Sequence, residues 1–125
     1  MTSLKGSCHC GAVKFEVRNQ DKPEQLARCN CSLCRRRGAI MATAPIEDLV
    51  IIEGKDKLSL YQWNTRIARH YFCSVCGIYT HHQRRRFPEQ CGFNVACIEG
   101  IDMENLGDIQ FIDGQQFTLE SPDKT

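Results

Sequence analysis

Short runs in which apolar and polar residues alternate dominate the chain and predict β-strands throughout. Val13, Phe15 and Val17 alternate with charged residues, which is the two-residue period of a half-buried strand. Further short strands are predicted at 39–43, 49–52, 57–62, 92–96 and 109–112. The segment 65–72 fits a strand or a helix by pattern alone. Since no segment carries three amphipathic helical turns, the sequence predicts a mainly β fold.

The same pattern gives no sign of a boundary between domains. Proline and glycine mark turns between the predicted strands, but no linker-like stretch interrupts them. A length of 125 residues matches the usual size of one domain and is sufficient to bury a core. We therefore expect a single domain over residues 1–125.

Charge and hydropathy exclude several classes of partner. The 16 basic and 15 acidic side chains leave a formal net charge of +1, which disfavours nucleic acid and an anionic membrane as partners. The longest clearly apolar run is 49–52, whereas a spanning helix needs about 20 residues. Charged residues also interrupt the N-terminal segment where a secretory signal would be apolar. We therefore expect a cytoplasmic protein that does not enter a membrane.

Cysteine is the compositional outlier, with 9 of 125 residues. An odd total without an export signal argues against a disulfide framework. Thiolates two or three residues apart on a turn can occupy adjacent corners of a zinc tetrahedron. The cysteines that have this spacing are Cys8 and Cys10, then Cys29, Cys31 and Cys34, then Cys73 and Cys76. The grouping therefore predicts zinc bound by thiolates.

These seven sulfurs divide into a site of four and a site of three. A closed structural zinc takes four protein ligands, whereas an open catalytic zinc commonly takes three. The two pairs can close a structural site, named the four-cysteine group: Cys8, Cys10, Cys73 and Cys76. The triplet can hold a second, weaker zinc that purification can remove, and it is named the three-cysteine group: Cys29, Cys31 and Cys34. Alternatively, the second site is completed and structural, through Cys91, Cys97, His81 or His82.

Two arginine triplets accompany the cysteines. The first, 35–37, directly follows Cys34, and guanidinium groups can pair in a fork with the carboxylates of an anionic thiol. Arg35 is the candidate substrate-binding residue, while a solvated charged turn is the alternative for Arg36 and Arg37. The second triplet, 84–86, is interpreted as a solvated loop because no aromatic residues are interleaved with it.

Three motifs in a fixed order carry a resemblance to a known family. They are GSCHCGAVKF at 6–15, CNCSLCR at 29–35 and FCSVCG at 72–77, with a weaker fourth match at 94–97 and 100–102. Over about residues 4–117 the chain resembles the glutathione-dependent formaldehyde-activating enzyme family, which includes centromere-protein-V-like proteins.

The resemblance implies both a fold and an activity. The implied fold is a β-tent, in which small antiparallel sheets are pinned by a structural zinc in the four-cysteine group. The three-cysteine group would hold a catalytic zinc. The implied activity is that of a carbon–sulfur lyase or synthase, acting on adducts of a small anionic thiol such as glutathione with an aldehyde.

Two other functions stay open. The centromere-type relatives suggest a non-enzymatic zinc module that contacts other macromolecules. A redox enzyme of similar fold, such as a methionine-sulfoxide reductase, would use Cys91 or Cys97 as its nucleophile. The near-neutral charge disfavours the nucleic-acid form of the first alternative, and the open cysteine triplet favours the enzyme.

Overall fold

Short β-strands make up most of the computed structural model, which describes residues 2–63 and 66–114. The strands are β1 (Ser3–Ser7), β2 (Lys14–Arg18), β3 (Ala27–Cys29), β4 (Met41–Pro45), β5 (Leu49–Glu53), β6 (Leu58–Tyr61), β7 (Arg69–Cys73), β8 (Tyr79–Gln83), β9 (Gln90–Asn94) and β10 (Gln110–Ile112). One α-helix, α1 (Ser32–Arg37), lies between β3 and β4. Short 3₁₀ turns span Ile46–Asp48, Lys55–Lys57 and Val95–Cys97. The prediction of a mainly β fold is confirmed.

The strands form two sheets. The smaller sheet has the order β1-β2-β5, and the larger has the order β10-β3-β4-β9-β8-β7-β6. Neighbouring strands run antiparallel, as predicted, except that β10 pairs with β3 in parallel. A parallel pair needs a long connection between its strands, and here the chain from β3 to β10 contains most of the larger sheet. This pair holds the C-terminal part of the described chain beside α1.

The main core lies between the two sheets. Phe15 and Val17 of β2 are at most 1% exposed, while the charged residues that alternate with them are more exposed, so the predicted half-buried strand is confirmed. Ala42 of β4 and Phe93 of β9 meet them from the larger sheet. A smaller cluster surrounds Val13 and includes two members of the four-cysteine group. Burial of these apolar side chains is the main stabilising contribution to the fold.

Strand β8 is absent from the sequence-based expectation, for a physical reason. Its side chains Tyr79, Thr80, His81 and His82 are all buried, but three of them are polar, so the strand shows no apolar alternation. The polar groups pair with one another instead, through Tyr79 Oη and His82 Nδ1 at 2.6 Å and through Thr80 Oγ1 and His81 Nδ1 at 2.9 Å. Buried hydrogen-bonded pairs of this kind are compatible with a central strand.

Strands β1 and β3 are also absent from the sequence-based expectation. The boundaries of the remaining elements differ from the predicted ones by a few residues. The predicted strand 92–96 is the end of β9 followed by a 3₁₀ turn. Strand β4 begins at Met41, two residues later than the predicted start at residue 39. The ambiguous segment 65–72 contains the start of β7; residue 65 lies outside the described residues. The described helix, α1, is one to two turns long. Among the described residues, no helix combines the length and the apolar character needed to cross a membrane.

Candidate metal centres and the cavity beside the second

Two tight turns bring the four-cysteine group together. Cys8 and Cys10 lie in the turn between β1 and β2, while Cys73 ends β7 and Cys76 lies in the turn to β8. Gly77 closes that second turn with a φ of 80°, a region that glycine enters without strain. Its N–H donates to the Cys73 carbonyl at 2.8 Å. The fold therefore joins two distant parts of the chain at one cluster of thiols.

The sulfur positions of the four-cysteine group fit zinc. All four ligand atoms lie within 4.8 Å of one another, and Cys10 Sγ is 3.7 Å from both Cys8 Sγ and Cys73 Sγ. Four sulfurs arranged tetrahedrally at about 2.3 Å from zinc are about 3.8 Å apart. The N–H of Val13 donates to Cys8 Sγ and the N–H of Val75 to Cys73 Sγ, each at 3.3 Å. Such donors stabilise the thiolate form that binds a metal.

The three-cysteine group is formed where β3 passes into α1. Cys29 ends β3, Cys31 caps the N-terminus of α1, and Cys34 lies within the helix. The Cys31 sulfur accepts the N–H of Cys34 at 3.3 Å, which is the role that serine or aspartate usually has at this position. The helix ends at Gly38 in the left-handed conformation. The CxCxxC spacing thus produces a short capped helix that turns its sulfurs toward one another.

The sulfurs of this group also lie within 4.8 Å of one another, and no other described His, Cys, Asp or Glu joins them. The N–H of Cys31 donates to Cys29 Sγ at 3.4 Å, and Arg37 Nη2 donates to Cys34 Sγ at 3.5 Å. Hydrogen bonds from the Cys29 and Cys34 thiols lower the pKa of Cys31 to about 2. The donor set therefore suits a soft metal such as zinc with three protein ligands and one open position.

The residues considered as a fourth ligand are engaged elsewhere. Cys97 Sγ lies 3.6 Å from the Tyr79 carbonyl, and both His81 and His82 bond to neighbouring hydroxyls of β8. Burial raises the pKa of Cys91 and of Cys97 to about 11. A buried thiol with a raised pKa is a poor nucleophile, so the geometry gives no support to the redox alternative.

A cavity of about 290 Å³, named the thiol cavity, lies beside the three-cysteine group. The sulfurs of that group line it together with two imidazoles, two aromatic rings and three guanidinium groups, from His70, His82, Trp63, Phe87, Arg84, Arg85 and Arg86. The four-cysteine group lines none of this cavity among the described residues. The two groups of cysteines therefore differ, because only the three-cysteine group lies beside this cavity in the described part of the chain.

The structure distributes the arginines differently from the sequence analysis. Arg35, the candidate substrate-binding residue, is exposed on α1, and the described wall of the thiol cavity does not include it. The triplet 84–86, interpreted as a solvated loop, belongs to that wall instead. Arg84 is fixed by Gln90 Oε1 at 2.6 Å and lies over the Phe87 ring at 5.0 Å. The run of three arginines in the sequence does not reveal that they line the cavity, because their position depends on the pairing of β8 with β9.

Sequence reasoning also left a buried polar network without a role. The rings of His70 and His82 stack with centroids 5.1 Å apart, and Tyr79 Oη bonds His82 Nδ1. Desolvation lowers the pKa of His70 to about 4 and holds that of His82 well below its usual value, so both rings are neutral at pH 7. His70 also lines a second cavity, of about 610 Å³, together with Tyr79 and Arg37. In the sequence, the adjacent histidines at 81–82 are the one feature that could have pointed to this network.

Comparison with known proteins gives three findings. The family model described as glutathione-dependent formaldehyde-activating enzyme matches residues 3–109. A curated protein from Halomonas elongata, named as a candidate glutathione-dependent formaldehyde-activating enzyme, is 36% identical over 81 residues, which are 58% of this chain and 51% of that protein. The chain thus spans about half the length of this curated relative. A crystal structure of a Rhodobacter sphaeroides protein is similar with a TM-score of 0.80 and 53% identity, covering 86% of this chain and 98% of that one.

The matched range contains all seven grouped cysteines and most of both sheets. The resemblance seen in the three sequence motifs therefore extends over the folded chain. The chain belongs to the family of glutathione-dependent formaldehyde-activating enzymes.

Proposed function

We propose that this chain is a zinc-dependent carbon–sulfur lyase or synthase, which forms and cleaves adducts of a small anionic thiol with an aldehyde. Glutathione is the thiol and formaldehyde the simplest aldehyde that the family name suggests. The single observation that carries the proposal is the position of the three-cysteine group in the wall of a cavity that also contains arginines. A purely structural metal site has no need of such a cavity.

The proposal assigns the two groups of cysteines to two zinc ions. The four-cysteine group would hold the structural ion, since its sulfurs have tetrahedral spacing and two of them are buried. The three-cysteine group would hold the second ion more weakly, through Cys29, Cys31 and Cys34. When bound there, zinc supplies positive charge and Lewis acidity beside the reacting groups.

Arginine in the cavity wall accounts for selection of an anionic thiol. Glutathione carries two carboxylates, and guanidinium groups bind carboxylates through charge-assisted hydrogen bonds. Arg86 is exposed within the wall-forming triplet, whereas Arg84 is already bonded to Gln90. We therefore assign carboxylate binding to Arg86 in preference to Arg35, which lies outside the described wall.

The remaining wall residues orient the two reactants. The rings of Trp63 and Phe87 and the thioether of Met41 line the thiol cavity and give it an apolar part. Holding a thiol and an aldehyde in contact contributes to catalysis by converting a bimolecular step into an intramolecular one. Because thiolate sites and free thiols persist in a reducing compartment, we assign the activity to the cytoplasm.

Calorimetry on the protein loaded with two zinc ions tests this assignment. The probes are glutathione and its diester, which has the same thiol but neutral carboxyl groups. We expect glutathione to bind about 10- to 100-fold more tightly, the range of one charge-assisted pair. Arg86→Gln should remove this preference with zinc content unchanged, while Arg35→Gln should retain it.

Three outcomes contradict parts of the proposal. Equal affinities of the two thiols for the parent protein would remove the support for an anionic substrate. A loss of preference in Arg35→Gln alone would return the carboxylate-binding role to Arg35. No binding of either thiol would favour the non-enzymatic interaction module.

A further inference from the structure

His70 combines burial with an unused hydrogen-bonding atom. It lies on β7 opposite His82 of β8 and lines the thiol cavity. The residue is 8% exposed, and its Nδ1 is buried without a hydrogen-bond partner among the described residues. Leaving a buried polar nitrogen unpaired is costly, so native proteins retain one only where it has a function or a bound partner. Because the ring lines the cavity, a molecule bound there can supply the partner that this nitrogen lacks.

Neighbouring residues hold the His70 ring in place without occupying Nδ1. The ring stacks on His82 with an angle of 25° between their planes. His82 is itself fixed, because its Nδ1 bonds Tyr79 Oη at 2.6 Å and because Gly92 has no side chain to occupy the space of the ring. Of the two imidazoles in the cavity wall, His70 thus has the unpaired Nδ1.

The environment keeps His70 neutral before substrate binds. Burial lowers its pKa to about 4, and the charge of Arg37 acts in the same direction. In the tautomer that carries the proton on Nε2, the Nδ1 lone pair can accept a proton. A neutral imidazole beside a thiol substrate is a general base.

We propose that His70 is a further catalytic residue, which accepts the proton of the substrate thiol and returns it to the aldehyde oxygen; this inference rests on the proposed function. In the forward direction the S–H bond breaks and its proton moves to Nδ1. The sulfur electron pair forms the C–S bond, and the π pair of C=O moves to oxygen. The oxygen then takes the proton from His70. One S–H bond and the π bond of C=O are replaced by one C–S bond and one O–H bond, the C–O single bond remains, no oxidant or reductant is needed, and cleavage is the reverse.

The chain offers a matched control for this residue. His81 is buried to the same 8%, and burial lowers its pKa to the same value of about 4. It bonds Thr80 and lies in the wall of a different cavity from His70. A His81→Gln variant therefore removes an equally buried imidazole without touching the thiol cavity.

The first experiment measures kcat for adduct formation from glutathione and ¹³C-formaldehyde, by exchange NMR on zinc-loaded proteins. His70→Gln should lower kcat by about 100-fold or more, the range for loss of a general acid–base. Zinc content should stay at the parent value, glutathione should still bind by calorimetry, and His81→Gln should retain kcat. A parent-like kcat in His70→Gln would overturn the role of His70. An inactive parent would overturn the proposed function, and the His70 role with it.

A second experiment does not depend on turnover or on the variant folding. In protein labelled with ¹⁵N-histidine, addition of glutathione should shift the Nδ1 resonance of His70, because that atom gains a hydrogen-bond partner. The resonances of His81 should not move. If glutathione binds by calorimetry while the His70 nitrogens stay unchanged, the inference is wrong.

Discussion

Arg37 Nη2 donates a hydrogen bond to Cys34 Sγ at 3.5 Å, one helical turn earlier on α1. Its guanidinium carbon also lies 3.6 Å from the centre of the Tyr79 ring. This pair places a permanent positive charge against the three-cysteine group, where it stabilises thiolates. The i to i+3 spacing brings residue 37 onto the face of Cys34, whereas Arg35 is exposed.

Removing the Arg37 charge should weaken metal binding at the three-cysteine group alone. We expect Arg37→Met to lower zinc affinity there by about 10- to 100-fold, as is typical when an outer-shell partner of a metal ligand is lost. Competition with a chromophoric chelator measures both sites in one titration. Arg36→Met is the control, because Arg36 donates to the Ser32 carbonyl and is exposed. Equal effects of the two substitutions would contradict a specific role for Arg37.

The two groups of cysteines should differ in their contribution to stability. Cys73 is fully buried, and its group joins two distant turns. We therefore expect Cys73→Ser to abolish soluble expression or to lower the Tm strongly. The decrease should be well above 4–8 °C, which corresponds to about 1 kcal/mol in a domain of 60–100 residues. Cys31→Ser should cost less while removing the second zinc. Thermal melts with metal analysis compare them. Equal losses of Tm would show that both metals are structural.

Gly114 approaches the three-cysteine group so closely that a side chain cannot be added. A Cβ at this position would lie 2.6 Å from Cys29 Sγ and 3.2 Å from Cys31 Cβ. Gly114→Ala should therefore displace Cys29 and lower the metal affinity of this group. Zinc in the four-cysteine group provides the internal control in the same titration. A parent-like affinity at both sites would mean that the segment shifts without disturbing the thiols.

His81 should make the protein less stable at acidic pH. Burial lowers its pKa from 6.5 to about 4 in the folded state, so the unfolded state binds more protons between these values. The free energy of unfolding therefore falls as the pH falls through that window. For His81 this amounts to about 2 kcal/mol between pH 7.5 and 5.

Chemical denaturation at the two pH values tests this linkage. The loss of stability on acidification should be smaller in His81→Gln than in the parent by that amount. Acid release of zinc affects both proteins and cancels in the comparison. An unchanged pH dependence in the variant would show that His81 does not carry the effect.

Local pattern predicted the strands that bury apolar residues on one face. The alternation around Phe15 and Val17 places β2 correctly because burial of that face decides the structure. The same reasoning missed β8, where Tyr79 and His82 are buried through a hydrogen bond to each other. A buried strand with polar side chains shows no alternation of apolar and polar residues in the sequence. Strand β8 is therefore recognised only from its pairing with β7 and β9.

The cysteine spacing predicted which sulfurs lie together, because short turns bring neighbouring thiols into contact. It did not predict the cavity beside the three-cysteine group. That cavity combines Trp63, His70 and Arg86 from three separate segments of the chain, and no single segment contains their arrangement. The assignment of Arg35 as substrate-binding residue followed its position directly after Cys34 and stays a prediction, while the described wall of the thiol cavity contains Arg84, Arg85 and Arg86 instead.

Exchange NMR on glutathione and ¹³C-formaldehyde tests the central claim most directly. The protein with two zinc ions should accelerate interconversion of free formaldehyde and its glutathione adduct above the rate of the same mixture without protein. Cys31→Ser, with zinc retained in the four-cysteine group, should give the rate of the mixture without protein. No acceleration by the parent protein, or equal acceleration by Cys31→Ser, would contradict carbon–sulfur chemistry at the three-cysteine group.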